Sequence, residues 1–332
     1  MGDMKSMRAL CMGIVVMMMA WGAAWAAQEE IFLIESFEDL ERFSAMICES
    51  GEAYRGEARL MNDIEAERQL QPIGDAEHMF QGVFDGQGHT VSGLRVAGAG
   101  DFSGLFGFIG REGIVRNLTV RNVLVTGGRY TGAVAGYSAG VIEGCAVSGG
   151  RVIGPSGYEY GAATGGIAGL VDGQVENCAN LGADVYGSRF VGGIAGSLCG
   201  GSIRRCLNIG DVYSPQDGEA LAGGVVGAVQ SGGEVRECVS GGKVFAERAF
   251  DVGGIAGGVM SGSLSRCAFQ GRVYGREAGA VAGYAAGRAQ VMGCLYDAAA
   301  GRAVGEGRQD GTLPLPRRGG PVNEEILTGL VK

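Results

Sequence analysis

The stretch Val191-Gly192-Gly193-Ile194-Ala195-Gly196 is followed by Gly201-Ser202-Ile203-Arg204-Arg205-Cys206 and closed by Asp211-Val212-Tyr213. It is one copy of a unit that occurs about seven times in the chain. Each copy has a glycine-rich half and a second half centred on one apolar position, and six copies end in a short piece that begins with valine. The apolar positions recur every 27 to 33 residues, a period typical of solenoids and other stacked repeat proteins.

Within a unit, short β-like runs alternate with glycine, and one unit cannot bury its own apolar face. Units stacked in register, about 4.8 Å apart, would bury a continuous core and pair each strand with those above and below it. The pattern therefore predicts an all-β protein, a parallel β-helix of about seven to eight coils. The usual crossover preference predicts a right-handed one. The spacing from Val175 to Cys178 breaks the strict alternation, a mismatch that a bend or bulge would accommodate.

The alternation of Gly-Gly-Ile-Ala-Gly with Gly-x-Ile-x-x-Cys resembles the GLUG-motif repeats of bacterial surface and secreted proteins. These include the repeat regions that precede the catalytic part of IgA-cleaving metallopeptidases. The lead-in, with Pro72-Ile73-Gly74 and Phe80-Gln81-Gly82-Val83-Phe84-Asp85-Gly86, is similar to that family's entry segment. The resemblance covers roughly residues 31 to 297 and implies a repeat type but no activity. No His-Glu-x-x-His zinc motif occurs in this sequence, so we expect no peptidase chemistry from it.

The first segment, residues 1 to 26, has the pattern of a secretory signal peptide. Lys5 and Arg8 precede an apolar run, and Ala24-Trp25-Ala26 has the small-x-small form of a signal-peptidase site. The alternative is an uncleaved anchor, but about 17 apolar residues barely reach the lower limit for a membrane span. We therefore expect a secreted or cell-surface protein that does not insert into the membrane after cleavage.

Residues 27 to 56 differ in composition from the repeats, and we interpret them as an N-terminal cap. Ser36 is the predicted N-cap of a helix of about three turns, with Asp39 three residues further on. Such a helix would cover the first coil, whose unpaired strand edges would otherwise invite association. Residues 57 to 297 form the predicted repeat β-helix, and residues 298 to 332 are interpreted as a linker or a modest C-terminal cap.

Composition excludes several classes of protein. The chain has 332 residues, of which 65 are glycine without a strict Gly-x-x period, and this excludes collagen. A hydrophobic fraction of 46% argues against disorder. Removing residues 1 to 26 takes away two cations and one anion, which moves the net charge from -9 to -10. An acidic, secreted chain without a basic cluster is not expected to bind nucleic acid.

Six of the nine cysteines occupy the same place in successive units. In-register side chains point in parallel about 4.8 Å apart, whereas a disulfide needs a Cβ separation of roughly 3.5 to 4.5 Å and convergent vectors. We predict free, buried thiols that fill the core as small hydrophobes. A line of single ligands does not make a tetrahedral metal site, so no metal is expected here. The predicted core ladder comprises Leu118, Cys145, Cys178, Cys206, Cys238, Cys267 and Cys294.

The apparent catalytic motifs carry little weight. Ser138 sits in a Gly-x-Ser-x-Gly match, but both histidines of the chain precede it, whereas the hydrolase order places the histidine after the serine. Asp184 and Asp211 directly precede the closing valines of consecutive units and are the one carboxylate pair that we nominate. Flanking opposite charges favour a solvated ion-pair ladder instead. We expect a protein without catalytic residues or cofactors, and the alternative is a polysaccharide lyase or hydrolase that uses Asp184 and Asp211.

Directly after the closing valine, four consecutive units carry an outward aromatic residue. Stacked aromatic rings on one face would grip sugar rings or the side chains of a partner, or would simply form a stabilising ladder. We interpret the chain as a bacterial binding or adhesion module, or as a rigid spacer, with an extracellular glycan or protein surface as the partner. The ligand, the anchor and the oligomeric state stay open. The predicted binding residues are Tyr186, Tyr213, Phe245 and Tyr274.

Overall fold

The computed structural model describes residues 31–50, 53–98, 100–157, 159–215, 218–297 and 302–305. The described residues from Phe32 onward belong to one compact unit. The predicted signal peptide, residues 1 to 26, and most of the predicted C-terminal segment, residues 298 to 332, lie outside the described residues.

The chain winds into a parallel β-solenoid of about nine turns, which confirms the predicted fold class. The structure has more turns than the seven to eight predicted, because lead-in strands that lack the glycine pair also form rungs. The right-handed sense of winding stays a prediction. Sheet A has ten strands: Phe32–Ile34, Glu57–Leu60, Val83–Asp85, Ile114–Arg116, Val141–Glu143, Gln174–Glu176, Ser202–Arg204, Gly233–Arg236, Gly262–Ser265 and Gln290–Met292.

Sheets B and C complete each turn, and their neighbouring strands also run parallel. Sheet B has nineteen strands: Ile64–Glu65, Thr90–Ser92, Arg95–Ala97, Phe102–Ser103, Thr119–Thr126, Tyr130–Gly132, Ala146–Ile153, Ala163–Gly165, Ala179–Asn180, Asp184–Tyr186, Phe190–Gly192, Leu207–Asn208, Val212–Tyr213, Gly218–Gly223, Val239–Ser240, Lys243–Gly253, Ala268–Phe269, Arg272–Gly279 and Leu295–Tyr296. Sheet C has seven: Phe106–Ile109, Ala135–Ser138, Ala168–Val171, Ala195–Cys199, Val226–Gln230, Ala256–Val259 and Ala282–Ala285.

In-register stacking turns equivalent positions of the repeat into columns of like side chains. The central column of sheet A faces inward and is fully or almost fully buried, so each rung contributes one apolar side chain to a continuous core. The members of this column are Phe84, Val115, Ile142, Val175, Ile203, Val235, Leu264 and Val291.

A left-handed backbone residue joins sheet A to sheet B and accounts for the broken alternation between Val175 and Cys178. Asn177, which lies between them, has a φ of 54°, and this left-handed conformation breaks the alternation so that Val175 and Cys178 both point inward. The same turn recurs one residue before every ladder position of the repeats. The residues concerned are Asn117, Gly144, Asn177, Arg205, Glu237, Arg266 and Gly293.

The predicted N-terminal helix is present as α1, Phe37–Glu49. The Ser36 hydroxyl accepts a hydrogen bond from the Asp39 N–H, and the Asp39 carboxylate accepts one from the Ser36 N–H, which forms a capping box. Phe43 of the helix packs on Phe80 and Phe84 of the first turns, at ring-centroid distances of 6.3 and 6.1 Å. This placement is compatible with a cap.

The solenoid begins before the helix, because Phe32–Ile34 already pairs in parallel with Ala58 to Leu60. It also continues past Asp297, since Val304 forms a parallel bridge with Ala282. Strand pairing therefore reaches into both segments that the sequence analysis assigns to caps. Among the described residues, no helix combines the length and the apolar character that crossing a membrane requires.

Changing Ser36 to alanine is expected to lower the free energy of unfolding by about 1 kcal/mol, because the Asp39 N–H loses its acceptor. Hydrogen bonding from the Ser36 hydroxyl lowers the pKa of Asp39, and this contribution is lost as the pH falls through the lowered pKa. The difference between the two proteins should therefore shrink in acid. Urea unfolding measures it, and Ser36→Thr, which keeps an acceptor oxygen, should stay close to the wild type.

Candidate binding face

The four predicted aromatic residues form one column along the outside of sheet B. Tyr213 lies opposite Tyr186 on one side and Phe245 on the other, and Phe245 lies opposite Tyr274. The rings of Tyr186 and Tyr213 stack with 4.6 Å between centroids and 8° between planes. The next two pairs are tilted by 51° and 50°, at 6.3 and 5.4 Å. The rings are thus stacked face to face at the Tyr186 end of the column and tilted apart toward the Tyr274 end, where Phe245 is 40% exposed.

A cleft of ≈ 500 Å³ lies beside the aromatic column. Its volume falls within the range of small-ligand sites, which combine apolar walls with a few polar groups. The tilt between Tyr213 and Phe245 exposes parts of both rings toward it. The described residues that line it are Tyr186, Tyr213, Ser214, Pro215, Phe245, Glu247 and Arg248.

Tyr213 is held by a carboxylate at the edge of the column. Its hydroxyl donates a hydrogen bond to Asp211 at 3.2 Å. Burial raises the pKa of Tyr213 to about 12, and the negative charge of Asp211 adds to this shift. The phenol is therefore neutral and a hydrogen-bond donor at any physiological pH.

The nominated carboxylates Asp184 and Asp211 do lie on adjacent rungs, since the Val185 N–H donates to the Asp211 carbonyl. Their neighbours are cationic: Arg151 pairs in register with Asp184, and Lys243 reaches Asp211 at 3.6 Å. Asp211 also accepts the Lys243 backbone N–H at 2.8 Å. The row thus carries two adjacent carboxylates flanked by cations on both sides, as in a surface ion-pair ladder, and catalytic use of the pair stays a prediction.

The predicted core ladder lies inside the solenoid, with Leu118 and the six repeat cysteines at most 1% exposed. The cysteines are free thiols. Each thiol donates to a carbonyl two residues earlier in the chain, as Cys206 does to Arg204 at 3.2 Å. Burial raises the pKa of Cys206, and the neighbouring thiol of Cys267 together with burial raises that of Cys294. Cys206 and Cys294 are therefore neutral, packed side chains.

Ser138, in the apparent nucleophile motif, is an inward core residue between Ile109 and Val171 and is fully buried. Its hydroxyl has no hydrogen-bond partner in the described part of the chain, so no histidine activates it there. The described residues also contain no group of three or more His, Cys, Asp or Glu side chains placed to hold a metal ion.

A second aromatic cluster escaped the sequence analysis. Phe108 and Tyr137 of sheet C lie 4.3 Å apart, and Phe102 and Tyr130 of sheet B lie 5.6 Å apart next to them. In each unit one ring precedes the glycine-rich segment, on sheet B, and the other follows it, on sheet C. The four rings meet because the chain turns a corner between these two sheets. The sequence does contain a signal for this cluster, because tyrosines flank the segment from Gly132 to Gly136 on both sides.

Comparison with known proteins gives partial matches, and no family model matches the chain. A stretch of 135 residues is 34% identical to halomucin of Haloquadratum walsbyi and covers 36% of this chain but 1% of that protein. Another of 131 residues is 31% identical to a candidate Gly-rich membrane protein of Evansella cellulosilytica, and covers 36% of this chain and 15% of that one. The chain thus spans only a small part of the length of both relatives.

The fold has a solved counterpart. A crystal structure of a candidate immunoglobulin A1 protease from Bacteroides ovatus superposes with a TM-score of 0.61 over 92% of this chain and 88% of that one. The two sequences are 19% identical, so the likeness shows a shared β-solenoid fold and nothing about activity.

Proposed function

We propose that this chain is a secreted or cell-surface repeat protein of the GLUG type that binds an extracellular glycan or protein surface without catalysis. The observation that carries the proposal is the outward aromatic column with its adjoining cleft. The names of its relatives, halomucin and a Gly-rich membrane protein, support a location at the cell surface. The solenoid fold, shared with the candidate protease from Bacteroides ovatus, supports a repeat region that presents a long face.

Binding would use the part of the column where the rings separate. Tyr186 and Tyr213 cover each other's faces, whereas Phe245 and Tyr274 are tilted and leave ring surface for a partner. Ser214 and Arg248 supply polar groups at the edge of the same cleft. A repeating ligand would meet similar contacts every rung, about 4.8 Å apart, so weak contacts would add up along the rod.

The test compares two matched double variants on a glycan and matrix-protein array. One replaces Phe245 and Tyr274 by alanine, and the other replaces Phe108 and Tyr137, a tilted outward pair on sheet C. Ligands of the column should lose about tenfold or more in affinity only in the first variant, because a buried aromatic contact contributes on the order of 1 to 3 kcal/mol. Thermal unfolding verifies that both variants remain folded.

Two outcomes would contradict the proposal. Binding that survives equally in both folded variants would remove the column from the site, and no binding by the wild type would favour a rigid spacer. Release of sugar products from polysaccharides by the wild type, and its loss on replacing Asp184 and Asp211 by asparagine, would instead establish the enzymatic alternative.

A further inference from the structure

We infer that the face of sheet B that carries the aromatic column pairs with the same face of a second copy of this chain, with the two solenoids antiparallel. The inference rests on the column's proposed role as a binding face, and it names the protein surface that the face meets. Its basis is a row of four charges beside the column, whose order makes the face complementary to itself. The charge row consists of Asp184, Asp211, Lys243 and Arg272.

The four residues of the charge row occupy equivalent positions on consecutive rungs. Each directly precedes a valine of one continuous register, in which Val185 pairs with Val212 and Val212 with Val244. Lys243 in turn pairs with Arg272. The first three of these valines are fully buried, so the residues of the row point out of the sheet. Along the solenoid the row therefore presents two negative charges followed by two positive ones.

A twofold axis at the level between Asp211 and Lys243 sets every charge of the row against its opposite. Rotation about this axis, which lies in the contact plane and crosses the solenoids, makes the two copies antiparallel. Asp211 then faces Lys243 of the second copy, and Asp184 faces Arg272 of the second copy. Each contact occurs twice, as in any isologous interface. Parallel copies with each rung facing itself would instead oppose like charges, which is costly.

The two outer charges of the row are available for such contacts. The side chains of Asp184 and Arg272 make no hydrogen bond or ion pair within the part of the chain that the structure describes. Arg272 is exposed and Asp184 is half-buried. The inner two charges already meet within the chain, since Lys243 lies 3.6 Å from Asp211. Pairing between copies would therefore add the outer contacts without breaking an existing ion pair.

The columns on both sides of the charge row fit the same axis. On one side, the exposed ring of Phe245 would face Tyr213 of the second copy, where the 51° tilt between these rings leaves ring surface open. On the other side, Ile209 is 51% exposed and lies level with Gly241 in the register. The axis places Ile209 opposite Gly241 of the second copy. A large side chain thus meets a residue without one, which allows close approach.

The predicted contact is modest in size. Four rungs about 4.8 Å apart and a strand of seven residues, each about 3.3 Å long, cover roughly 400 Å² on each copy. The total of about 800 Å² falls in the class of weak, transient associations. We therefore expect a reversible dimer whose population depends on concentration, and not an obligate one.

Sedimentation equilibrium of the full chain should show a monomer–dimer equilibrium. Asp184→Arg should weaken dimerisation at least about tenfold, because two opposite-charge contacts become two like-charge contacts, and Arg272→Asp should do the same. An equimolar mixture of these two variants should recover dimers, and so should one chain that carries both changes. The matched control is Arg95→Asp, an exposed position of the same column three rungs before Asp184, which should dimerise as the wild type does.

Circular dichroism verifies that every variant remains folded. The inference is overturned if the wild type stays monomeric at all concentrations, if the folded Asp184→Arg protein dimerises normally, or if neither the mixture nor the double variant recovers dimers. Its failure is distinct from that of the proposed function. Array binding by a chain that stays monomeric would overturn the inference alone, whereas dimerisation without any array ligand would support it and remove the glycan or matrix partner.

Discussion

Replacing Gly192 by alanine is expected to lower the free energy of unfolding by about 4 kcal/mol, because the added methyl group has no room at this corner of the repeat. A Cβ at this position would overlap the carbonyl oxygen of Ala195 and lie 2.8 Å from the Val225 oxygen and the Val226 Cα. All three atoms belong to the backbone, so no flexible side chain can move aside. Relief would require the corner between sheets B and C to open.

The matched control is Gly157→Ala, because a Cβ at Gly157 meets no atom within 4 Å. There the change should be neutral or stabilise by a few tenths of a kcal/mol, about what reduced freedom of the unfolded chain provides. Urea unfolding followed by circular dichroism measures both. A Gly192→Ala protein that loses less than about 1 kcal/mol would show that the corner between sheets B and C tolerates a side chain at this position.

The second large effect is expected at a buried amide. Asn180 is fully buried, and its Nδ2 donates to the Ala183 oxygen at 2.9 Å and to the Gly193 oxygen at 3.2 Å. Its Oδ1 accepts the Ala183 N–H at 2.9 Å. Asn180→Leu should cost about 3 kcal/mol, because it removes these bonds and leaves buried backbone groups without partners.

The control for the amide is Asn62→Leu, at an exposed position where the side chain makes one hydrogen bond, to Glu35. That change should stay within about 0.5 kcal/mol of the wild type. If both variants unfold at the same urea concentration, the buried amide does not stabilise the rung. An intermediate loss of about 1 kcal/mol at Asn180 would mean that water replaces part of its bonding.

Asn180 also shows why single residues of a solenoid resist interpretation from sequence. The equivalent residue one rung earlier is Val147, an apolar member of a continuous strand, Ala146–Ile153. In the next unit the strand ends at Asn180, and the following strand begins only at Asp184. The amide therefore pairs with backbone groups that the break leaves unbonded, and nothing in the period of the repeat indicates such a break.

The sequence was sufficient to predict which side chains stack into columns, but not where clefts form between the columns. Stacking in register places equal positions of the repeat above one another, so the spacing of Cys178 and Cys206, or of Tyr186 and Tyr213, already determines which side chains become neighbours. The capping box at Ser36 was readable because its two residues are three apart in the chain. Such features depend on local spacing or on exact repetition.

The space between Tyr130, Phe190 and Ser197, by contrast, depends on how three different strands approach one another. Tyr130 lies two rungs before Phe190 on sheet B, and Ser197 lies on sheet C, which meets sheet B at a glycine-rich corner. Their separation is decided by the small size of Ala163 and by the path of the chain that places Tyr160 over Arg189. The sequence alone determined the parallel stack and its columns, because translation along the rod repeats each local choice. Only the tertiary structure decided where those columns leave room for a ligand, because that room is set by the packing of neighbours across the corner.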